Sequence, residues 1–274
     1  MFVGVHASSG DGQSAPSAAA RPLKVLLLGE GDATHSTTAL YTSLAPVFAR
    51  HGIQITHAAN TDVLTPQTLG DYDILMLYGT LATITPAQEK ALLGFVESGK
   101  GLVALNSAIE MFPSSSTFAA LLGARGKRSG AAQFTAEPTQ ASSAITRGLP
   151  ALTTTDDTFT FTNEATTGRT VLMERVENGV RTPQAWTRMQ GKGRVFYTAF
   201  GSEQTVALPA FRELVERGVL HAVPETSKQA WDGLKMPELQ YEDGHNVPNY
   251  ENRNPAPKFQ LPLTAADSMK LIQV

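Results

Sequence analysis

The side chains able to do chemistry are few and unevenly spaced. The chain has six histidines and no cysteine, so disulfides, thiolate metal sites and a cysteine nucleophile are excluded together. His35 follows a glycine turn that carries Glu30 and Asp32. Asp156 and Asp157 are adjacent, Glu110 lies just after Asn106 and Ser107, and Glu203 follows Ser202. One imidazole with two carboxylates suffices for acid–base catalysis or a weak divalent site, provided the fold brings them together. Otherwise Asp156 and Asp157 are turn residues, and Glu30 and Asp32 belong to a polar loop. Ser107 has no identifiable base beside it, which leaves a seryl nucleophile without activation. Gly29-Glu30-Gly31 lacks the third glycine of a dinucleotide-binding turn. No cofactor and no metal are expected, and His6, His51, His57, His221 and His245 read as structural or solvated.

The elements that must position these residues are legible in the first half of the chain. Leu23 to Leu28 is apolar on both faces and closes on glycine, as a buried parallel strand does. Ser36 or Thr37 caps a helix whose Leu40, Leu44, Val47 and Phe48 recur at helical spacing, and Gly52 ends it. Strands are predicted at 53–58, 73–78 and 101–105. Thr85-Pro86-Ala87-Gln88-Glu89 starts a helix that runs to about Ser98. This alternation predicts a mostly parallel, doubly wound α/β sheet with helices on both faces. In such sheets ligands bind beyond the carboxyl ends of the strands. Residues 29–36, 106–111, 156–161 and 201–204 are expected to converge there.

From Gln133 the pattern becomes β-rich, with stretches at 159–161, 170–175, 185–189 and 194–200 that add antiparallel strands. An amphipathic helix follows at about 209–223. Arg125, Lys127 and Arg128 read as a solvated loop. Residues 1–22, rich in Ala, Ser and Gly, form a flexible leader without the basic and apolar regions of an intact signal peptide. The domain proper is expected over 23–224. Residues 225–274, with five prolines from Pro237 to Pro262 and aromatics at 231, 241, 250 and 259, are expected to form an extended arm. A short helix capped by Thr264 ends it, and the arm suits contact with a protein partner. A net charge of −3 gives no reason to expect nucleic acid. No apolar run reaches the roughly 20 residues that span a bilayer.

Three stretches resemble the ThuA-like family, whose fold is that of class I glutamine amidotransferases. They are 85–96 leading into 101–105, Ile145-Thr146-Arg147-Gly148-Leu149-Pro150, and Gly191 to Gly201 followed by Phe211-Arg212-Glu213-Leu214. The resemblance covers about Leu23 to Val223. It implies a flavodoxin-like sheet, chemistry on a sugar or keto-sugar, and histidines at the strand ends. This chain departs from that pattern. His35 is followed by Ser36 where a second histidine is usual, and Asn106 stands where the family has His. The family's Arg-His-Gly step is Arg128-Ser129-Gly130, its Asp-Glu-Thr-Tyr is Asp156-Asp157-Thr158-Phe159, and its Gly-His is Gly201-Ser202. The tail resembles a connector to a dehydrogenase-like propeller and haem domain, which implies an extracytoplasmic, periplasmic setting. The expected role is therefore an accessory or binding subunit with a degenerate site. Alternatives are a carbohydrate-active enzyme using His35, Asp156, Asp157 and Glu203, and a sugar-binding module. Glu30, Asp32, His35, Asn106, Ser107, Glu110 and Ser202 are the candidate ligand contacts.

Overall fold

The computed structural model describes residues 19–31, 35–139, 143–165 and 167–234. The expected Thr264-capped helix, the resemblance of the tail to a connector, and Asp32, His6 and His245 lie outside these residues, as does a second unit at 237–274. The strands are β1 (Leu23–Leu28), β2 (Ile53–Ala58), β3 (Ile74–Tyr78), β4 (Gly101–Leu105), β5 (Arg125–Pro138), β6 (Leu152–Thr162), β7 (Arg169–Glu177), β8 (Val180–Gln190) and β9 (Gly193–Thr198). The helices are α1 (Thr37–Arg50), α2 (Pro66–Gly70), α3 (Pro86–Glu97), α4 (Ser116–Leu122), α5 (Glu203–Val206), α6 (Pro209–Ala222) and α7 (Glu225–Asp232).

Among the described residues one sheet runs β2-β1-β3-β4-β9-β8-β7-β5-β6. Strands β2, β1, β3, β4 and β9 are parallel, and every pairing beyond β9 is antiparallel. The added strands thus account for as many pairings as the parallel half. Both faces of the parallel half are covered. Val25 and Leu27 of β1 join one core with Leu44 and Phe48 of α1 and Phe211 and Leu214 of α6. Leu26 and Leu28 join the other, with Phe95 of α3 and Phe118 of α4. That two-sided burial is why β3 reads as an unbroken apolar run and β1 as one interrupted only by the exposed Lys24. The caps form as the sequence specifies. Ser36 Oγ accepts from the Ala39 amide, and Thr85 and Gln88 close a reciprocal capping box.

Two expectations are corrected. Arg125, Lys127 and Arg128 form no solvated loop but open β5, which pairs antiparallel with β6 from Arg125↔Thr162 to Ala136↔Leu152. The polar composition hid the strand because most of residues 127–133 face solvent. The segment after Pro224 is not extended at its start: Glu225–Asp232 is helix α7. Glu225 in its first turn and the Lys228–Asp232 pair one turn apart favour helix there. At the other end of the domain, Arg21, placed by sequence in the leader, is anchored to Asp73. None of the described helices is long and apolar enough to cross a membrane.

Candidate functional site

The carboxyl ends of the parallel strands are where the candidate residues gather, and a ribbon of added sheet reaches over them. β5 and β6 shift register between Arg128 and Gly130. A bulge of this kind bends a strand and re-aims its side chains. On β6 the alternation breaks nearby, at Asp156 and Asp157, which are both buried although adjacent. They are therefore not turn residues.

Asp156 is fully enclosed. Its Oδ1 accepts from Asn106 Nδ2 at 3.1 Å, from the Asp157 amide at 2.7 Å and from the Ser202 amide at 3.0 Å. Its Oδ2 accepts from the Gly201 amide at 2.9 Å. Burial raises the Asp156 pKa, and these donors, with Thr205, only partly oppose it. Beneath it, the Tyr197 hydroxyl donates to the Asn106 carbonyl at 3.1 Å. Burial, together with the carboxylates of Asp156, Glu110 and Asp157, pushes that phenol well above its ordinary pKa.

Asn106 itself holds φ +47°, a left-handed conformation that asparagine tolerates better than most residues. Its Nδ2 also donates to the Ala199 carbonyl at 2.9 Å. Its Oδ1 is buried and meets no donor among the described residues.

A second layer surrounds Asp157. His35, 1% exposed, places Nε2 2.8 Å from Asp157 Oδ2 and stacks edge-on against Tyr78. Arg128 Nε lies 3.4 Å from the same Asp157 oxygen and 3.5 Å from Glu110 Oε2. The Arg128 amide donates to Glu110 Oε1 at 2.7 Å. Arg128 and Glu110 remain about a quarter exposed, so this end of the network meets solvent.

The remaining candidates divide. Ser202 belongs to the network through its amide, and its hydroxyl donates to the Thr155 carbonyl at 3.0 Å. Ser107 is buried, and its hydroxyl donates to the Gly79 carbonyl at 3.1 Å. Glu30 and Glu203 are exposed, and among the described residues no side-chain contact ties either to the cluster. Sequence reasoning missed Arg128, Tyr78 and Tyr197. Arg128 was marked by its place in the Arg128-Ser129-Gly130 step. Tyr78 ends β3 and Tyr197 is the last residue but one of β9, both in largely buried strands whose composition looks like core. The Tyr78 hydroxyl donates to the Gly201 carbonyl at 2.7 Å. His57 and His51 have structural partners in Gly29 O and Glu216. Among the described residues no group of three His, Asp or Glu is placed to hold a metal ion.

A family model described as ThuA, trehalose utilisation, matches residues 24–222. No curated protein matches the sequence. A ThuA-like protein from Parabacteroides merdae superposes with a TM-score of 0.63 at 15% identity, over 74% of this chain and 90% of its own. One from Bacteroides uniformis gives 0.58 at 16% identity, over 76% and 94%. A cytoplasmic protein from Salmonella typhimurium gives 0.55 at 15% identity, over 74% and 100%. At such identities structural likeness establishes the fold alone. The family model spans most of the chain, and by it the chain belongs to the ThuA family.

Proposed function

We propose that the protein is a non-catalytic ThuA-like domain, serving as an accessory or binding subunit of an extracytoplasmic assembly with a redox partner. The observation that carries this reading is the state of Asp156. Both its oxygens accept hydrogen bonds from its own chain, and the residue is fully enclosed. A general acid or a ligand-binding carboxylate needs a free oxygen facing the reacting atom. His35 is enclosed and already beside Asp157. Asn106 presents a carbonyl oxygen without a donor at a position where relatives usually carry His. The network braces the segments after β1, β4 and β9 against the β5–β6 ribbon, which is a structural role. The test is native mass spectrometry of the protein isolated from its source, alongside fractionation. A stable heteromeric complex outside the cytoplasm is expected; a lone monomer, or a cytoplasmic one, overturns the reading.

A second reading, a sugar-binding module, draws on the Glu110–Arg128–Asp157 rim, which offers donors and acceptors to solvent. A thermal-shift screen against saccharides separates the two. A ligand at about 100 times its Kd stabilises by roughly 2.7 kcal/mol, and no shift in the panel removes this reading. Turnover of an oxidised disaccharide that is lost in His35→Ala would instead restore the catalytic one.

A further inference from the structure

A second enclosed carboxylate lies at the opposite, amino edge of the sheet. Asp73, just before β3, is 1% exposed. Its Oδ2 accepts from Arg21 Nη1 at 2.7 Å and from the Lys24 amide at 2.9 Å. Its Oδ1 accepts from Arg21 Nη2 at 2.7 Å and from Ser227 Oγ at 2.6 Å. Lys100 Nζ stands 3.8 Å away and donates to the Tyr72 carbonyl at 2.6 Å. One side chain thus joins the start of β1, the segment before it, and helix α7. The Arg21 amide also donates to the Ala230 carbonyl at 3.2 Å. The two outlying segments are therefore bonded to each other as well as to Asp73.

Little else holds α7. The residues it buries are Ser227 and Ala230. Trp231 is half-buried against the core, with Nε1 donating to the His51 carbonyl at 2.7 Å. The Arg194–Glu225 pair is 3.6 Å long and exposed, and such pairs contribute little. A helix of eight residues is marginal without tertiary attachment. Bidentate, charge-assisted hydrogen bonds from a guanidinium to an enclosed carboxylate are the strongest contacts available to it, reached through Ser227 and the Arg21 backbone.

We propose that Asp73 is the clasp of a strap: the segment at Arg21 and helix α7 attach to and leave the amino edge of the sheet together, while the rest of the domain stays closed. On the accessory-subunit reading, such a strap gives helix α7 a second, detached state without unfolding the domain. The clasp itself requires no partner, so its failure would leave that reading standing, and the reverse holds too.

Hydrogen-exchange mass spectrometry on the full chain tests it, comparing wild type with Asp73→Asn, Arg21→Gln and Ser227→Ala. In the first two variants, amides of 225–234 are expected to exchange about ten- to a hundredfold faster. Amides of β3 and β4, which open only with the whole domain, should speed up no more than the fall in global stability requires, and less than those of α7. Ser227→Ala should also speed exchange at the unmutated Arg21 amide, because coupling between two sites is reciprocal. Unchanged exchange in α7 overturns the proposal. So does an equal rise in α7 and β3, which would make the clasp an inseparable part of the global fold. Should Asp73→Asn fail to fold, the half-exposed Arg21 provides the same comparison.

Discussion

Asp156 is of a type that suits catalysis, and in place its carboxylate is enclosed and accepts from its own chain. Each oxygen of an ionised carboxylate accepts about two hydrogen bonds, and here four donors, from Asn106, the neighbouring Asp157 amide and the Gly201-Ser202 segment, converge on the pair. Removing the side chain orphans the Gly201 and Ser202 amides inside the protein, and each buried unsatisfied donor costs about 1–3 kcal/mol. Asp156→Ala is therefore expected to destabilise by about 3–5 kcal/mol, at the severe end for single substitutions. Asp156→Asn should cost less, about 1–2 kcal/mol. It keeps one acceptor oxygen and relieves the buried charge, while its amide meets one donor head-on. Urea denaturation of the two variants measures both. A catalytic acid would behave otherwise, with Asp156→Asn near wild-type stability.

At the scale of elements, legibility followed burial. β1, β3 and β4 were plain because both faces are covered and, Lys24 apart, their residues are apolar or glycine. α1 and α3 were plain because their caps are spelled out by Ser36 and by Thr85 with Gln88. β5 was not, since Arg125-Gly126-Lys127-Arg128-Ser129-Gly130 has turn composition and this part of the strand pairs with β6 alone. The burial of both Asp156 and Asp157 departs from the strand's own alternation, so the sequence could name these residues without showing that they are enclosed. The close approach of the loops after β1 and β3 is a third such feature. Gly79 has φ +92°, and a Cβ there would lie 2.2 Å from the Glu30 carbonyl oxygen. Gly79→Ala must adopt a left-handed backbone and also push the two loops apart, so a loss of about 2–4 kcal/mol is expected. Gly148, φ +73°, has open space around its missing Cβ. Gly148→Ala should cost only the backbone term, about 1 kcal/mol. Equal losses in thermal denaturation would show that the Glu30–Gly79 contact is not tight.

Across the whole molecule, two enclosed carboxylates at opposite edges of the sheet give opposite responses to pH. Burial alone would raise the Asp73 pKa, but hydrogen bonds from Arg21, Ser227 and the Lys24 amide, with the Arg21 charge, hold it at about 2, below its ordinary 3.8. A depressed carboxylate contributes stability that is present above the unfolded pKa and lost as pH falls through the folded value. The window is therefore from about 4 down to about 2, and the loss is on the order of 1–2 kcal/mol. Asp156 is shifted the other way, by burial that outweighs its donors. Its folded form takes up a proton more readily than its unfolded form, so its contribution falls as pH rises from about 4 through its raised pKa. His221, lowered by burial and by Arg194, adds a third limb: its unfolded form protonates first, so stability falls as pH drops below 6.5. These limbs overlap, which makes differences between proteins the informative quantity. Subtracting the Asp73→Asn stability from wild type, pH by pH, should give a difference that grows from pH 2 to pH 4 and is flat above. Subtracting Asp156→Asn should give one that shrinks as pH rises above 4. Urea midpoints across this range measure both curves. A difference for Asp73→Asn that is flat between pH 2 and 4 would mean that Arg21 and Ser227 do not hold this carboxylate ionised in the folded protein, and would remove the electrostatic basis of the clasp.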